Sequence, residues 1–128
     1  MHKVMIFLLI TMSSTIFSSE TTSITRSGYF HISYQSELEP ITINQIHNWV
    51  LHIETPEGDP VSGAKVSVSG GMPLHNHGLP TDPKVTTDLG RGKYKLEGLR
   101  FHMRGYWELI VIIEIQGRRD TGIVKLNI

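Results

Sequence analysis

The chain has no cysteine among its 128 residues. That excludes disulfides, zinc ribbons, cysteine-ligated iron–sulfur clusters and thiol catalysis. It also lacks an excess of charge: 12 Lys and Arg balance 12 Asp and Glu, for a formal net charge of zero. A nucleic-acid binder needs a basic footprint, and none is present. The length is too short for a (β/α)8 barrel or a two-domain dinucleotide enzyme, and fits one domain. After residue 20 no stretch has a helical period, and there is no repeat or low-complexity tract. Seven histidines and five methionines remain as the metal-capable donors, and 39% apolar residues are enough for one core.

Residues 1–19 read as an address. Lys3 makes a short basic start, Val4 to Ile10 is continuously apolar, and Met12, Ile16 and Phe17 extend the run between Ser and Thr. This is shorter and more interrupted than the ~20 residues of a membrane-spanning helix. It suits the apolar region of a signal peptide, cleaved near Ser18 or Ser19 or kept as an uncleaved anchor. The expected location is therefore extracytoplasmic, in a bacterial periplasm, with any membrane contact made only through this segment. Removing it leaves about 109 residues, the size of one immunoglobulin-like domain. Residues 20–28 are rich in Ser and Thr and read as a flexible lead-in, with the domain proper over 29–128.

The remaining sequence alternates as strands do. Short apolar alternations cover residues 29–34 and 41–53, and Pro56-Glu57-Gly58-Asp59-Pro60 is a turn. Val61 to Ser69 puts Ala64, Val66 and Val68 on one face. Gly70 to Pro83 reads as a long loop, followed by strands over 84–87 and 94–99 around a tight turn at Leu89-Gly90-Arg91-Gly92-Lys93. Tyr106 to Ile115 is the most apolar run, which predicts a central strand. A turn at 117–120 precedes the last strand, 122–128. About seven strands at spacings of ~8–12 residues predict an all-β, antiparallel immunoglobulin-like β-sandwich. Trp49 and Trp107 are the expected bulky core residues.

The chemistry concentrates in Gly70-Gly71-Met72-Pro73-Leu74-His75-Asn76-His77-Gly78-Leu79-Pro80-Thr81. His75 and His77 are two apart, so an extended backbone sends both imidazoles to one side. Met72 adds a thioether. Pro73, Pro80 and Pro83 stiffen the segment, and its glycines permit sharp turns. A second donor pair, His102-Met103, precedes Gly105, and strand geometry would let only one of the two join a shared site. Thioether and imidazole donors without carboxylates suit copper, with Cu(I) favoured over Cu(II). Zinc seldom takes methionine, and Asp82 alone does not supply the oxygens that calcium or magnesium needs. The competing reading is plain: His-x-His pairs occur on exposed strands, and a lone methionine is commonly core filler. His31 and His52 fall in strand patterns. His47 could approach the loop, but a structural role ranks ahead of ligation.

Gly71-Met72-Pro73, His75-x-His77-Gly78-Leu79-Pro80-Thr81, Leu89-Gly90-x-Gly92-x-Tyr94, Glu97-Gly98-Leu99-x-Phe101-x-Met103 and Gly105-x-Trp107-Glu108-Leu109 together resemble the YtkA-like/FixH-like family of exported domains. The resemblance spans roughly residues 41–115. It implies an exported β-sandwich, and its link to copper handling around respiratory oxidases implies Met72, His75, His77 and Met103 as ligands. His102 and His47 form a second tier. Arg104, where many relatives carry Pro or Gly, is a departure that touches no donor.

Two functions follow as expectations. The first is an exported copper-binding protein, a carrier or accessory factor that passes its ion to a membrane or periplasmic receiving protein. The second is a metal-free interaction or assembly module of the cell envelope. Enzyme readings fare worse. A cupin site needs a Glu shortly after His-x-His, a copper–zinc dismutase needs more histidines and carboxylates, and Ser67-Val68-Ser69-Gly70 is not a nucleophile elbow. No catalytic residue is expected.

Overall fold

The structure, a computed structural model, describes residues 21–128. The expected signal segment, residues 1–19, lies outside the described residues. Among the described residues there are nine antiparallel strands: β1 (Ser23–Ile24), β2 (His31–Ser36), β3 (His47–Glu54), β4 (Lys65–Met72), β5 (His77–Gly78), β6 (Lys84–Gly90), β7 (Lys93–Leu99), β8 (Tyr106–Ile115) and β9 (Arg118–Asn127). They form two sheets, ordered β1-β2-β3-β7-β6 and β5-β4-β8-β9. The fold is all-β, an antiparallel sandwich of the immunoglobulin-like kind.

The core follows from period-two alternation. Along β3, Trp49, Leu51 and Ile53 point inward while Asn48, Val50 and His52 alternate outward. Along β8, Trp107, Leu109, Val111 and Ile113 are buried between the sheets. Both tryptophans are fully buried, as expected of the two largest apolar side chains. β8 is central, with β4 on one side and β9 on the other. Its outward face is not covered, however, and Ile110 is 36% exposed. The apolar run of β8 therefore fills one core face and leaves an apolar strip on the other. His31 and His52 lie on the outer face of the first sheet, where His31 pairs across from Glu54 and His52 Nε2 lies 3.3 Å from Glu54 Oε1.

Two turns bear the fold's geometry. β6 and β7 join through Arg91-Gly92, both at positive φ (54° and 74°). That is the two-residue hairpin turn whose twist matches its strands. The 61–64 corner is tied by Tyr94, whose hydroxyl donates to the Val61 carbonyl (2.6 Å) and accepts from the Ala64 N–H (3.1 Å).

Several expectations need correction, among them the last strand, which starts at Arg118 and not at Gly122, and the strand expected over 84–87, which runs on to Gly90. The segment read as a flexible lead-in starts the fold: Ser23–Ile24 pairs with β2, and Thr25 is buried against Asp120. The strand expected at 61–69 starts and ends later, at Lys65 and Met72. The segment read as a long loop over 70–83 holds the end of β4 and all of β5. Polar or glycine-rich residues at these places gave no alternating signal, yet their backbone groups pair.

Candidate metal centre

β4 and β5 form a short hairpin in the register Gly71↔Gly78 and Met72↔His77. The loop Pro73-Leu74-His75-Asn76 closes it, with the His75 N–H donating to the Met72 carbonyl at 3.1 Å. Asn76 takes the left-handed conformation (φ 52°), which Asn tolerates better than most residues. The backbone between His75 and His77 is therefore a turn, not the extended segment that the spacing suggested. The rings nevertheless face one another, 6.3 Å between centroids and 25° between planes.

Gly71 is what lets the hairpin fold back. A Cβ there would collide with the His77 carbonyl oxygen and sit 3.1 Å from the Gly78 Cα. Both are backbone atoms, so the strain could be relieved only by moving β5. Gly71→Ala is therefore expected to shift the His77 amide resonances in an NMR spectrum while β8 and β9 resonances stay in place. Unchanged His77 shifts would contradict this.

The corner at residues 100–105 faces the hairpin. Phe101 is buried, and the Asn44 N–H donates to its carbonyl at 2.7 Å. Gly105 and Ile128 exchange two backbone hydrogen bonds, 2.9 and 3.0 Å, fixing the corner to the chain end. The Trp107 indole N–H donates to the Met103 carbonyl at 3.0 Å. Gly105 adopts φ +134°, and a Cβ there would lie 2.8 Å from the Met72 methyl carbon. Glycine at 105 thus makes room for the Met72 thioether, which is only 1% exposed.

These elements bring the sequence-predicted residues to one end of the sandwich. The His77 ring lies 6.1 Å from the His102 ring, and His102 lies 5.5 Å from Trp107, each pair edge to face. Two imidazoles bonded to one ion at ~2.0–2.1 Å place their centroids no more than roughly 6.5 Å apart. The His75–His77 and His77–His102 spacings lie just inside that limit, which only a near-linear nitrogen–metal–nitrogen arrangement reaches, so these rings must approach one another to share an ion. His102 Nδ1 is buried and has no hydrogen-bond partner, so this ring holds an unused donor or lone pair. Beside the hairpin, an open concavity of about 240 Å³ is bordered by His77, Gly71, Gly78, Glu108 and Ile110.

His47 does not belong to this set. It is 6% exposed, its Nε2 accepts the Trp49 indole N–H at 3.2 Å, and its Nδ1 lies 3.0 Å from the Gln45 carbonyl. An indole only donates, so Nε2 must accept and Nδ1–H must donate. No lone pair is left for an ion, and His47 is a structural residue. Sequence spacing did not show that His102 would outrank it. The 100–105 corner is not a strand, so the strand rule that set His102 against Met103 does not apply there.

Among the described residues, no three or more His, Asp or Glu side chains are grouped so that they could hold a metal ion. A His-and-carboxylate site of the zinc or calcium kind is therefore not built here. The other donors at this end are the thioethers of Met72 and Met103, of the type that soft ions take.

A model of the YtkA-like family matches residues 30–112, from the first core phenylalanine to β8. The chain belongs to the YtkA-like family. The match includes the hairpin and the 100–105 corner, so the whole YtkA-like candidate centre lies within it. No curated protein matches the sequence. In structure, this YtkA-like chain is similar to a DUF4426-family protein from Pseudomonas aeruginosa, with a TM-score of 0.58 and 16% identity over 88% of this chain and 96% of that one. That likeness shows the shared sandwich fold.

Proposed function

We propose that this YtkA-like domain is an extracytoplasmic copper-binding protein, a carrier or accessory factor and not an enzyme. The observation that supports the reading is the pairing of the exposed His75 and His77 rings, 6.3 Å between centroids, on a hairpin whose first strand ends in Met72. This end of the sandwich contains Met72 and Met103, the only methionines outside residues 1–19. His75, His77, Met72 and Met103 would hold the ion, with His102 in a second tier. Copper supplies an ion that binds imidazole and thioether in its cuprous state and can move between sites by ligand exchange. His75 and His77 are exposed, which suits handing the ion to a receiving protein. Residues 1–19, as a signal or anchor, would place the domain in the periplasm.

The metal-free interaction module is a second reading. Its support is the apolar outward strip around Ile110 and the exposed Leu74 and Ile46, 77% and 63% accessible. Thermal denaturation separates the two. Cu(I) at a hundredfold excess over its dissociation constant stabilises a native-state binder by about 2.7 kcal/mol. For a domain of this size that raises the melting temperature by roughly 10 °C. The wild type is expected to show this rise and a His75→Ala/His77→Ala variant to lose it. No rise in the wild type would favour the metal-free module.

A further inference from the structure

An unbroken column of rings runs from the candidate centre to the opposite sheet. His102 meets Trp107 at 5.5 Å, Trp107 meets Phe101 at 5.2 Å, and Phe101 meets Trp49 at 6.2 Å. Trp49 then stacks on Tyr34 at 3.9 Å with only 8° between planes. Both tryptophans are fully buried, whereas Tyr34 is only partly buried. Two buried, oxidisable indoles thus lie between the imidazoles and a tyrosine at the margin of the first sheet. Each indole N–H is also engaged: Trp107 donates to the Met103 carbonyl at 3.0 Å, and Trp49 donates to His47 Nε2 at 3.2 Å. His47 Nε2 is a basic acceptor, so it can take the Trp49 proton as an electron leaves that ring and return it afterwards.

We propose that this column exports oxidising equivalents from the imidazole end to Tyr34, protecting the donor side chains. The proposal rests on the copper reading only for the source of the oxidant, hydrogen peroxide. A cuprous ion held there would supply the electron that splits hydrogen peroxide into hydroxide and a hydroxyl radical, itself becoming cupric. The radical takes an electron from an adjacent ring such as His102 and becomes hydroxide. Imidazole and thioether radicals are stronger oxidants than indole radicals, and indole radicals are stronger than phenoxyl. The electron deficit therefore runs downhill from His102 to Trp107, across Phe101 to Trp49, and on to Tyr34. Tyr34 gives up one electron through the column and its phenolic proton to water. The balance is hydroxyl radical plus tyrosine giving water plus tyrosyl radical, with every intervening ring restored. The benefit is specific, because oxidation of Met72 would put a polar sulfoxide in a closed apolar site.

The path can be tested without copper. The chain has no cysteine, so Leu74→Cys at the exposed hairpin tip is a unique attachment point for a ruthenium polypyridyl photo-oxidant. After flash-quench oxidation of the labelled full domain, transient absorption and electron paramagnetic resonance should show a phenoxyl radical. Tyr34→Phe, which keeps the stack on Trp49, should lower that yield severalfold and lengthen the life of an indole radical. Trp107→Phe should lower the phenoxyl yield severalfold as well. An unchanged phenoxyl yield in Tyr34→Phe would overturn the path, since the radical would then sit on another tyrosine. A second arm uses Cu(I)-loaded protein and hydrogen peroxide, with oxidised His75 and His77 mapped by mass spectrometry. Tyr34→Phe should raise their oxidation severalfold, and equal oxidation would overturn the protective role. Failure of the copper reading shows separately, as absence of copper uptake with the photochemical path intact.

Discussion

Trp107→Ala is expected to destabilise the domain by about 3–5 kcal/mol, the range for removing a large aromatic from a packed core. A domain of this size has about 5–15 kcal/mol to lose, so much of the protein would unfold at moderate temperature. Trp107 is inaccessible to solvent and sits edge-on to Phe101 at 5.2 Å and to His102 at 5.5 Å. Its N–H is the partner of the Met103 carbonyl. Truncation leaves a cavity under the 100–105 corner and an unpaired carbonyl beside it. Trp107→Phe keeps most of the packing and loses the hydrogen bond, for a smaller cost of about 1–3 kcal/mol. Urea unfolding of both variants checks the order. A Trp107→Ala loss below about 1 kcal/mol would contradict the packing described.

Asp120→Ala is expected to cost about 2–4 kcal/mol at neutral pH, because it orphans several donors at once. Asp120 is 4% exposed. Its carboxylate accepts from the Thr25 hydroxyl (2.6 Å), the Ser27 N–H (3.0 Å), the Thr121 N–H (2.9 Å) and the Tyr29 N–H (3.3 Å). It therefore fastens residues 25–29 to β9, helped by Arg118 stacked 4.4 Å over the Tyr29 ring. Burial pushes this carboxyl up, but the Thr25 hydroxyl and the Ser27, Thr121 and Tyr29 amides together hold it below the usual aspartate value. The folded value lies below the unfolded one, so the stabilisation is present above the unfolded value of ~3.9 and is lost as pH falls through the folded one. Denaturation followed against pH should show this acid step in the wild type. Asp120→Asn, which cannot ionise, should lack it. An identical acid step in Asp120→Asn would assign it to other carboxylates.

The two predictions also mark what could be seen in the sequence. Trp107 was identifiable as core by its bulk in the most apolar run, Tyr106–Ile115, and that span was read at its true boundaries. Trp49 was legible by its bulk as well, in β3. Strands β1 and β5 were not, because two residues carry no period. The tether from Asp120 to Thr25 joins residues 95 apart, and nothing local in Ser27 or Tyr29 announces it. At the candidate centre, His75 and His77 stood out by spacing and by their glycine and proline frame. The closeness of His77 to His102 is a tertiary contact between a hairpin and a corner. His47 shows the reverse case: the bond from Trp49, two residues on in the same strand, uses the lone pair that would have made it a ligand.

The role of Gly105 was also hidden. Its motif, Gly105-x-Trp107, was evident, but the reason for glycine was not. The reason is a side chain from another strand, the Met72 thioether, lying where a Cβ would stand. The same corner thus seats a sulfur, holds Trp107 by a carbonyl and presents His102 to the hairpin.

The most direct test of the copper reading is a Cu(I) titration of residues 21–128 under a competing chelator, without oxygen. The wild type is expected to take one equivalent. A His75→Ala/His77→Ala variant should lose at least roughly tenfold in affinity, about 1.4 kcal/mol, with His102→Ala and Met72→Leu each weakening binding. Equal affinity in the wild type and the double variant would contradict the account.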